Sequence, residues 1–113
     1  MQKRIVDGVE VERGSGNVYA DLGLADADEM LVKARLVTKI REIIKARGWT
    51  QQEAAQVLGM AQPKLSNMLR GRFRGISEAK LMGCLARLGR RVQIVVGPDQ
   101  QPEAAGMVEV VFA

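Results

Sequence analysis

The residues of this sequence best suited to a chemical role are polar side chains clustered in one short stretch. Between Gln62 and Gly71 the chain reads QPKLSNMLRG, in which Gln, Lys, Ser and Asn are interleaved with Leu and Met. Amide side chains can pair with the edge of adenine through two hydrogen bonds, and lysine can donate to guanine. These residue types predict hydrogen bonding to base edges in a groove of DNA.

The composition argues against most forms of catalysis. The chain of 113 residues has no histidine and a single cysteine, Cys84. Without histidine, catalytic triads that use imidazole cannot form, and most zinc sites lack their ligands. A single cysteine allows no internal disulfide bond, which fits a reducing compartment. We therefore expect no enzyme activity, no metal and no cofactor.

The N-terminal sequence and the hydropathy pattern bear on localisation. The sequence MQKRIVDGVEVE lacks the apolar run of a signal peptide. No stretch approaches the roughly 18 consecutive apolar residues that predict a membrane span. We expect a cytoplasmic protein that does not cross a membrane.

The charged residues fall into three blocks. Residues 1–30 contain three basic and seven acidic side chains, whereas residues 31–97 contain fourteen basic and three acidic ones. Residues 98–113 contain three acidic side chains and no basic one. A basic centre between acidic ends predicts that the middle of the chain binds a polyanion. The alternative interpretation is a solvated helical surface.

Apolar residues at helical spacing predict the first and longest helix. It begins at Ala27 or the residue before it and ends at Gly48, and a separate helical turn is expected over residues 17–24. The expected buried stripe consists of Ala27, Met30, Leu31, Ala34, Val37, Ile40 and Ile44, and Leu36 and Ile43 widen it. Lys33 and Arg41 are expected mainly on the opposite, solvated side.

Three shorter helices follow, each marked by residues typical of helix ends. Thr50 and Glu53 have the spacing of a capping box. Gly59 predicts the turn after that helix, and Pro63 suits the first turn of the next one. Ser77 can cap the last helix. Two short helices joined by a glycine turn predict a helix-turn-helix, whose second helix enters the major groove of DNA.

The pattern changes in the last part of the chain. The segments RRVQIVVG and MVEVVF are short and β-branched, which predicts strands. We expect a flexible or short-strand arm at residues 1–16 and a helix-turn-helix DNA-binding domain at residues 17–89. Residues 90–113 are expected to be a β-strand segment that forms a hairpin or a dimer contact.

The sequence TQQEAAQVLGMAQPKLSNMLRG resembles the helix-turn-helix of the lambda-repressor-like family, also called the XRE or Cro-type family. The positions that match in register are Thr50, Gln51, Ala55, Leu58, Gly59, Leu65, Ser66 and Gly71. The resemblance implies a mainly α, lambda-repressor-like bundle of about five helices with a short C-terminal β element. Pro63 departs from the family pattern, because several members have a polar, base-reading residue there. A proline can contact only a thymine methyl group.

The same resemblance implies roles for individual residues. Gln62, Lys64 and Asn67 are expected to contact bases, with a phosphate contact as the alternative for Lys64. Phosphate contacts are expected from Gln51, Ser66, Arg70, Arg72 and Arg74. The alternatives are a hydrogen bond from Ser66 to its own helix and, for the arginines, a solvated basic loop.

A second and less specific resemblance covers about residues 15–98. The segments SGNVYADLGLADADEMLVKARLVTKIREIIKARGWTQQEAAQ and LARLGRRVQIVVGP are similar to the HigA-type antitoxins, small helix-turn-helix proteins encoded beside a toxin. The resemblance implies a transcriptional regulator that represses its own operon and neutralises an RNA-cleaving toxin of the RelE/HigB type.

The expected partners follow from these resemblances. They are double-stranded operator DNA with an inverted repeat, a second copy of the chain in a homodimer, and the toxin. An acidic N-terminal part, with Asp7, Glu10, Glu12, Asp21, Asp26, Asp28 and Glu29, can complement a basic toxin surface. The alternative for these acids is solubility together with balance of the helix dipole, at whose positive end Asp26, Asp28 and Glu29 lie. One alternative is a stand-alone XRE-family repressor of the phage type without a toxin. Another is an interaction module whose basic face binds RNA or another protein.

Overall fold

The computed structural model describes the backbone of residues 2–6 and 9–13 and the whole of residues 26–99 and 106–113. These residues form two strands and four helices, which confirms a mainly α fold. The elements are β1 (Gln2–Val6), β2 (Val9–Arg13), α1 (Ala27–Ala46), α2 (Gln51–Leu58), α3 (Gln62–Leu69) and α4 (Glu78–Arg87). None of these helices is both long and apolar enough to cross a membrane.

The two N-terminal strands pair in an antiparallel two-stranded sheet. The pairing runs from Val6 with Val9 at one end to Gln2 with Arg13 at the other. Both strands lie within residues 1–16, for which the sequence predicts either a flexible arm or a short strand. The helical turn expected at residues 17–24, which would be the fifth helix, lies outside the described residues.

Helix α1 is the scaffold against which α3 and α4 pack. Its buried side chains are Met30, Val32, Lys33, Leu36, Val37, Ile40, Ile43 and Ile44. This face is rotated slightly from the expected stripe, because Leu31 and Ala34 are only half-buried. The 20 residues of α1 therefore supply a core-facing surface long enough to contact two other helices.

The prediction that Lys33 lies on the solvated side is wrong, because the residue is only 4% exposed. Its Nζ donates to the carbonyl oxygen of Arg74 at 2.7 Å. The same nitrogen lies 3.3 Å from a carboxylate oxygen of Glu29 and 3.6 Å from one of Glu78. A buried ammonium group requires such partners, since its desolvation is costly. Lys33 thereby connects α1 to the loop after α3 and to the start of α4.

Side-chain caps define where α2 and α4 begin, as the sequence predicts. The Thr50 hydroxyl accepts from the Glu53 amide at 3.1 Å, and the Glu53 carboxylate accepts from the Thr50 amide at 3.1 Å. The capping box is therefore confirmed. The Ser77 hydroxyl accepts from the Lys80 amide at 3.1 Å. Helix α2 ends at Gly59, whose φ of 65° is strained for any residue with a Cβ.

The C-terminal β element expected from the sequence is not confirmed. Residues 90–99 and 106–113 are described, and neither segment forms a strand. A β-branched composition favours an extended backbone, but a strand also needs a second backbone to pair with. Ile94, Val95 and Val96 are 79%, 82% and 90% exposed, so the described part of the chain does not cover them.

The last residues of the chain return to α1 without forming a strand. Val110 packs against the hydrophobic core. The Nζ of Lys39 lies 4.9 Å from the centroid of the Phe112 ring, a cation–π distance. These contacts hold residues 106–113 against the body of the domain.

We expect Thr50→Ala to destabilise the domain, because the Glu53 amide loses its acceptor at the start of α2. Loss of such a cap costs about 1 kcal/mol, which lowers the Tm by about 5 °C in a domain of this size. Thermal unfolding followed by circular dichroism measures the change. Thr50→Ser keeps the hydroxyl and should unfold close to the wild-type temperature. An alanine variant with the Tm of the wild type would contradict the capping role.

Candidate nucleic-acid interface

Helix α3 is amphipathic, and its polar side faces outward. Leu65 and Met68 are fully buried at 0% exposure. The opposite side of the helix lines a shallow surface depression formed by Gln62, Pro63, Ser66, Asn67 and Arg70. The alternation of apolar and polar residues in the sequence therefore separates into a sealed face and an open face.

The turn before α3 is set by close packing of α2. Ala54 and Leu58 are fully buried and Ala55 is 5% exposed, so α2 lies close to the core. The amide of Met60 donates to the Ala55 carbonyl at 3.1 Å, which closes the end of α2. The guanidinium of Arg87 on α4 lies beside this turn, 2.9 Å from the position of a Cβ added at Gly59. Because this flexible side chain can move, the positive φ rather than the contact is what requires glycine here.

The C-terminal end of α3 is held by α1 and by its own loop. The guanidinium of Arg41 donates to the carbonyl oxygen of Leu69. A positive charge at this end of a helix is favourable, because the last carbonyl groups have no partner within the helix. The Arg72 amide donates to the Asn67 carbonyl at 2.9 Å. The loop therefore leaves α3 along a fixed path.

The expected base-contacting residues do not all lie together. Gln62 and Asn67 both line the depression, whereas Lys64 is exposed but not part of its lining. Asn67 is also engaged, because its Oδ1 accepts from Nη2 of Arg70 at 2.8 Å. Arg70, expected to contact phosphate, thus lies on the same face as the base-reading candidates.

The other expected phosphate-binding residues occupy three places. Ser66 lies in the depression, and Gln51 is the exposed first residue of α2. Arg72 and Arg74 are exposed on either side of Phe73, which is buried at 4% exposure and fixes the loop.

Arg74 differs from Arg72 in its contacts. Its guanidinium forms an ion pair with Asp26, and its backbone carbonyl accepts the hydrogen bond that the Lys33 ammonium group donates. A phosphate would have to compete with the Asp26 carboxylate for Arg74.

The structural contacts of three residues near this interface, Lys33, Arg41 and Asp26, were not predicted from the sequence. Lys33 lies at the helical spacing of the buried stripe, so the periodicity contained a signal for its burial. Arg41 and Asp26 gave no such signal, because their partners Leu69 and Arg74 are 28 and 48 residues away in sequence. Both were assigned to other roles, Arg41 to solvent and Asp26 to the helix dipole and a toxin surface.

The arrangement can form hydrogen bonds and ion pairs with a polyanion. The described residues contain no cluster of three or more Cys, Asp or Glu side chains able to hold a metal ion. Arg70 lines the depression together with Gln62, Ser66 and Asn67, so neutral hydrogen-bonding groups and a cation lie on one side of the helix. A helix presented in this way suits the major groove, where base edges lie between two rows of phosphates.

Known proteins share both this sequence pattern and this fold. A family described as a helix-turn-helix domain matches residues 18–97. The chain is also 34% identical to a solved structure named as an XRE family transcriptional regulator, with a TM-score of 0.72. That match covers 78% of this chain and 99% of the other. A comparison with curated proteins gives no match. The chain belongs to the XRE family of helix-turn-helix transcriptional regulators, and it is a DNA-binding protein.

Proposed function

We propose that this regulator is a sequence-specific repressor of its own operon and the antitoxin of a toxin of the RelE/HigB type. The open polar face of α3, lined by Gln62, Ser66 and Asn67, carries the proposal of sequence-specific binding. The resemblance of residues 15–98 to HigA-type antitoxins supports the proposal that the chain neutralises a toxin. These two parts are separable by experiment, because they assign different surfaces to the two partners.

The dimensions of α3 support insertion into the major groove. Its eight residues give a helix about 12 Å long, and the major groove of B-DNA is about 12 Å wide. One such helix contacts only a few base pairs. Useful specificity therefore requires two copies on an inverted repeat, with the two α3 helices about 34 Å apart, one turn of DNA.

The segment from Val92 to Val96 is our candidate for the homodimer contact. Ile94, Val95 and Val96 are consecutive β-branched residues with exposures from 79% to 90%. Pairing with the same segment of a second copy would satisfy both backbones, and Ile94 and Val96, which share one face of an extended segment, would be shielded from water. Helix α4 is the alternative surface. It is less favoured, because its apolar residues Leu81 and Leu85 are already buried within one chain.

The charge distribution supports an acidic contact for the toxin before α1. A toxin that binds RNA is expected to be basic, and residues 1–30 have more than twice as many acidic as basic side chains. Asp26 and Glu29 form ion pairs with Arg74 and Lys33. We therefore assign the toxin contact to the acidic residues that precede Asp26. These residues are Asp7, Glu10, Glu12 and Asp21.

The test of the antitoxin part begins with the neighbouring reading frame. We expect it to encode a small basic protein that arrests growth alone and is tolerated when this chain is co-expressed. Changing Glu10 and Glu12 to Lys should abolish the rescue, while Gln62→Ala with Asn67→Ala should leave it intact. A neighbour without toxicity would favour the stand-alone repressor. Loss of rescue in the α3 variant alone would contradict the separation of the two surfaces.

We expect Gln62→Ala with Asn67→Ala to weaken binding to the promoter of its own operon by up to about 3 kcal/mol. Binding to random DNA should barely change, because phosphate contacts supply most of that affinity. Fluorescence anisotropy at one fixed salt concentration measures both. Gln56→Ala makes the same kind of change on an exposed residue of α2 outside the depression, and serves as the matched control. Equal losses on both DNAs would remove the base-reading role.

We expect Ile94→Lys to convert the dimer to a monomer, because two copies of the charge would have to be buried at the paired segments. Light scattering should give roughly twice the chain mass of 12.4 kDa for the wild type and a single chain mass for the variant. Gln93→Lys, an exposed polar neighbour whose side chain points to the other side of an extended segment, should remain dimeric. A wild-type protein that is monomeric when bound to its promoter would contradict the proposed homodimer.

A further inference from the structure

We propose that Asn67 and Arg70 form one recognition unit that selects guanine over adenine. The inference rests on DNA recognition by α3 in the proposed function and specifies which base this part of the helix prefers. It differs from the roles expected from sequence, in which Asn67 alone reads a base and Arg70 contacts a phosphate.

The geometry brings the two side chains to the same level of the helix. Arg70 directly follows α3, and its amide donates to the carbonyl groups of Ser66 and Asn67 at 3.2 and 3.1 Å. Its side chain points back along the helix, as helical side chains do. Nη2 of Arg70 then donates to Oδ1 of Asn67 at 2.8 Å. Both residues line the outward depression, which places the pair among the base-reading candidates.

This hydrogen bond changes what Asn67 can offer to a base. A free asparagine offers one acceptor and one donor to adenine, which needs a partner for its N6 amine and one for N7. In the pair, Arg70 uses one of the two lone pairs of the Asn67 Oδ1 and places its cationic guanidinium beside this oxygen. The pair then offers a ligand the Nδ2 amine of Asn67 and the other N–H groups of the guanidinium, all of them donors, against one remaining lone pair of Oδ1.

A surface dominated by donors distinguishes the two purines. Guanine presents two adjacent acceptors, N7 and O6, in the major groove. Adenine presents N7 beside an amine that is itself a donor, so a donor placed opposite that amine is left without a partner. The pair therefore favours guanine at the position that Asn67 and Arg70 face. Gln62, at the other end of α3, remains the candidate for reading adenine.

The experiment is selection from random double-stranded DNA with the full chain, followed by sequencing of the bound pool. The wild type should enrich guanine over adenine by about tenfold at one position of each half-site. Arg70→Ala should shift that position towards adenine, because the competing donors of the guanidinium are removed and both lone pairs of the Asn67 Oδ1 become available to the adenine amine. Arg72→Ala removes an exposed arginine outside the depression that is expected to contact phosphate, so it should lower affinity for all sequences alike and keep the wild-type base profile. The thermal transition of each variant shows that it is folded.

Three results would overturn the inference. If Arg70→Ala lowers affinity for every sequence equally and keeps the wild-type profile, Arg70 is a phosphate contact. If the wild type already selects adenine at every position that responds to Asn67→Ala, Asn67 acts alone. If the wild type enriches no motif, sequence-specific recognition itself fails and this inference fails with it. The first two outcomes leave the proposed function intact, so the two failures are distinguishable.

Discussion

The recognition surface depends on the burial of Leu65 and Met68, because α3 is too short to be stable alone. A helix of eight residues in water does not form enough hydrogen bonds to offset the cost of its nucleation. Both side chains are fully buried, and this packing decides which side of α3 faces outward. The polar face is therefore a consequence of the core. A change that loosens the core around α3 would impair DNA recognition without touching a base-reading residue.

The basic residues of the domain divide into those that hold the structure and those that are presented to a ligand. Lys33 and Arg41 donate to carbonyl groups in the loop after α3 and at its last turn. Arg47 donates to the carbonyl of Leu88 at 2.6 Å, just after α4. These three cations from one segment of the chain fix elements that follow much later in sequence. The number of basic residues in the middle of the chain is therefore larger than the number available to bind DNA. Arg70 and Arg72 are exposed and better placed to contact DNA than the buried Lys33.

Sequence reasoning succeeded where the determinant is local and failed where it is distant. The caps at Thr50 and Ser77 follow from patterns a few residues long, and the structure contains both. The two faces of α3 were likewise predictable from the spacing of Leu65 and Met68. The ion pair of Asp26 with Arg74 and the Arg41 bond to Leu69 depend on how helices pack, and no local pattern encodes them. The strand expected at Val92–Val96 is not confirmed for a different reason. Its composition favours an extended backbone but does not specify the second backbone with which a strand must pair.

The central claim is that the outward face of α3 lies against the base edges. Titration of the isotope-labelled protein with DNA selected by the protein itself, followed by amide chemical shifts, tests it most directly. The account predicts the largest changes at residues 62–74 and at Gln51, with the buried face of α1 little affected. Changes that are confined to the exposed side of α1 or to the C-terminal segment, with residues 62–70 unperturbed, would contradict it.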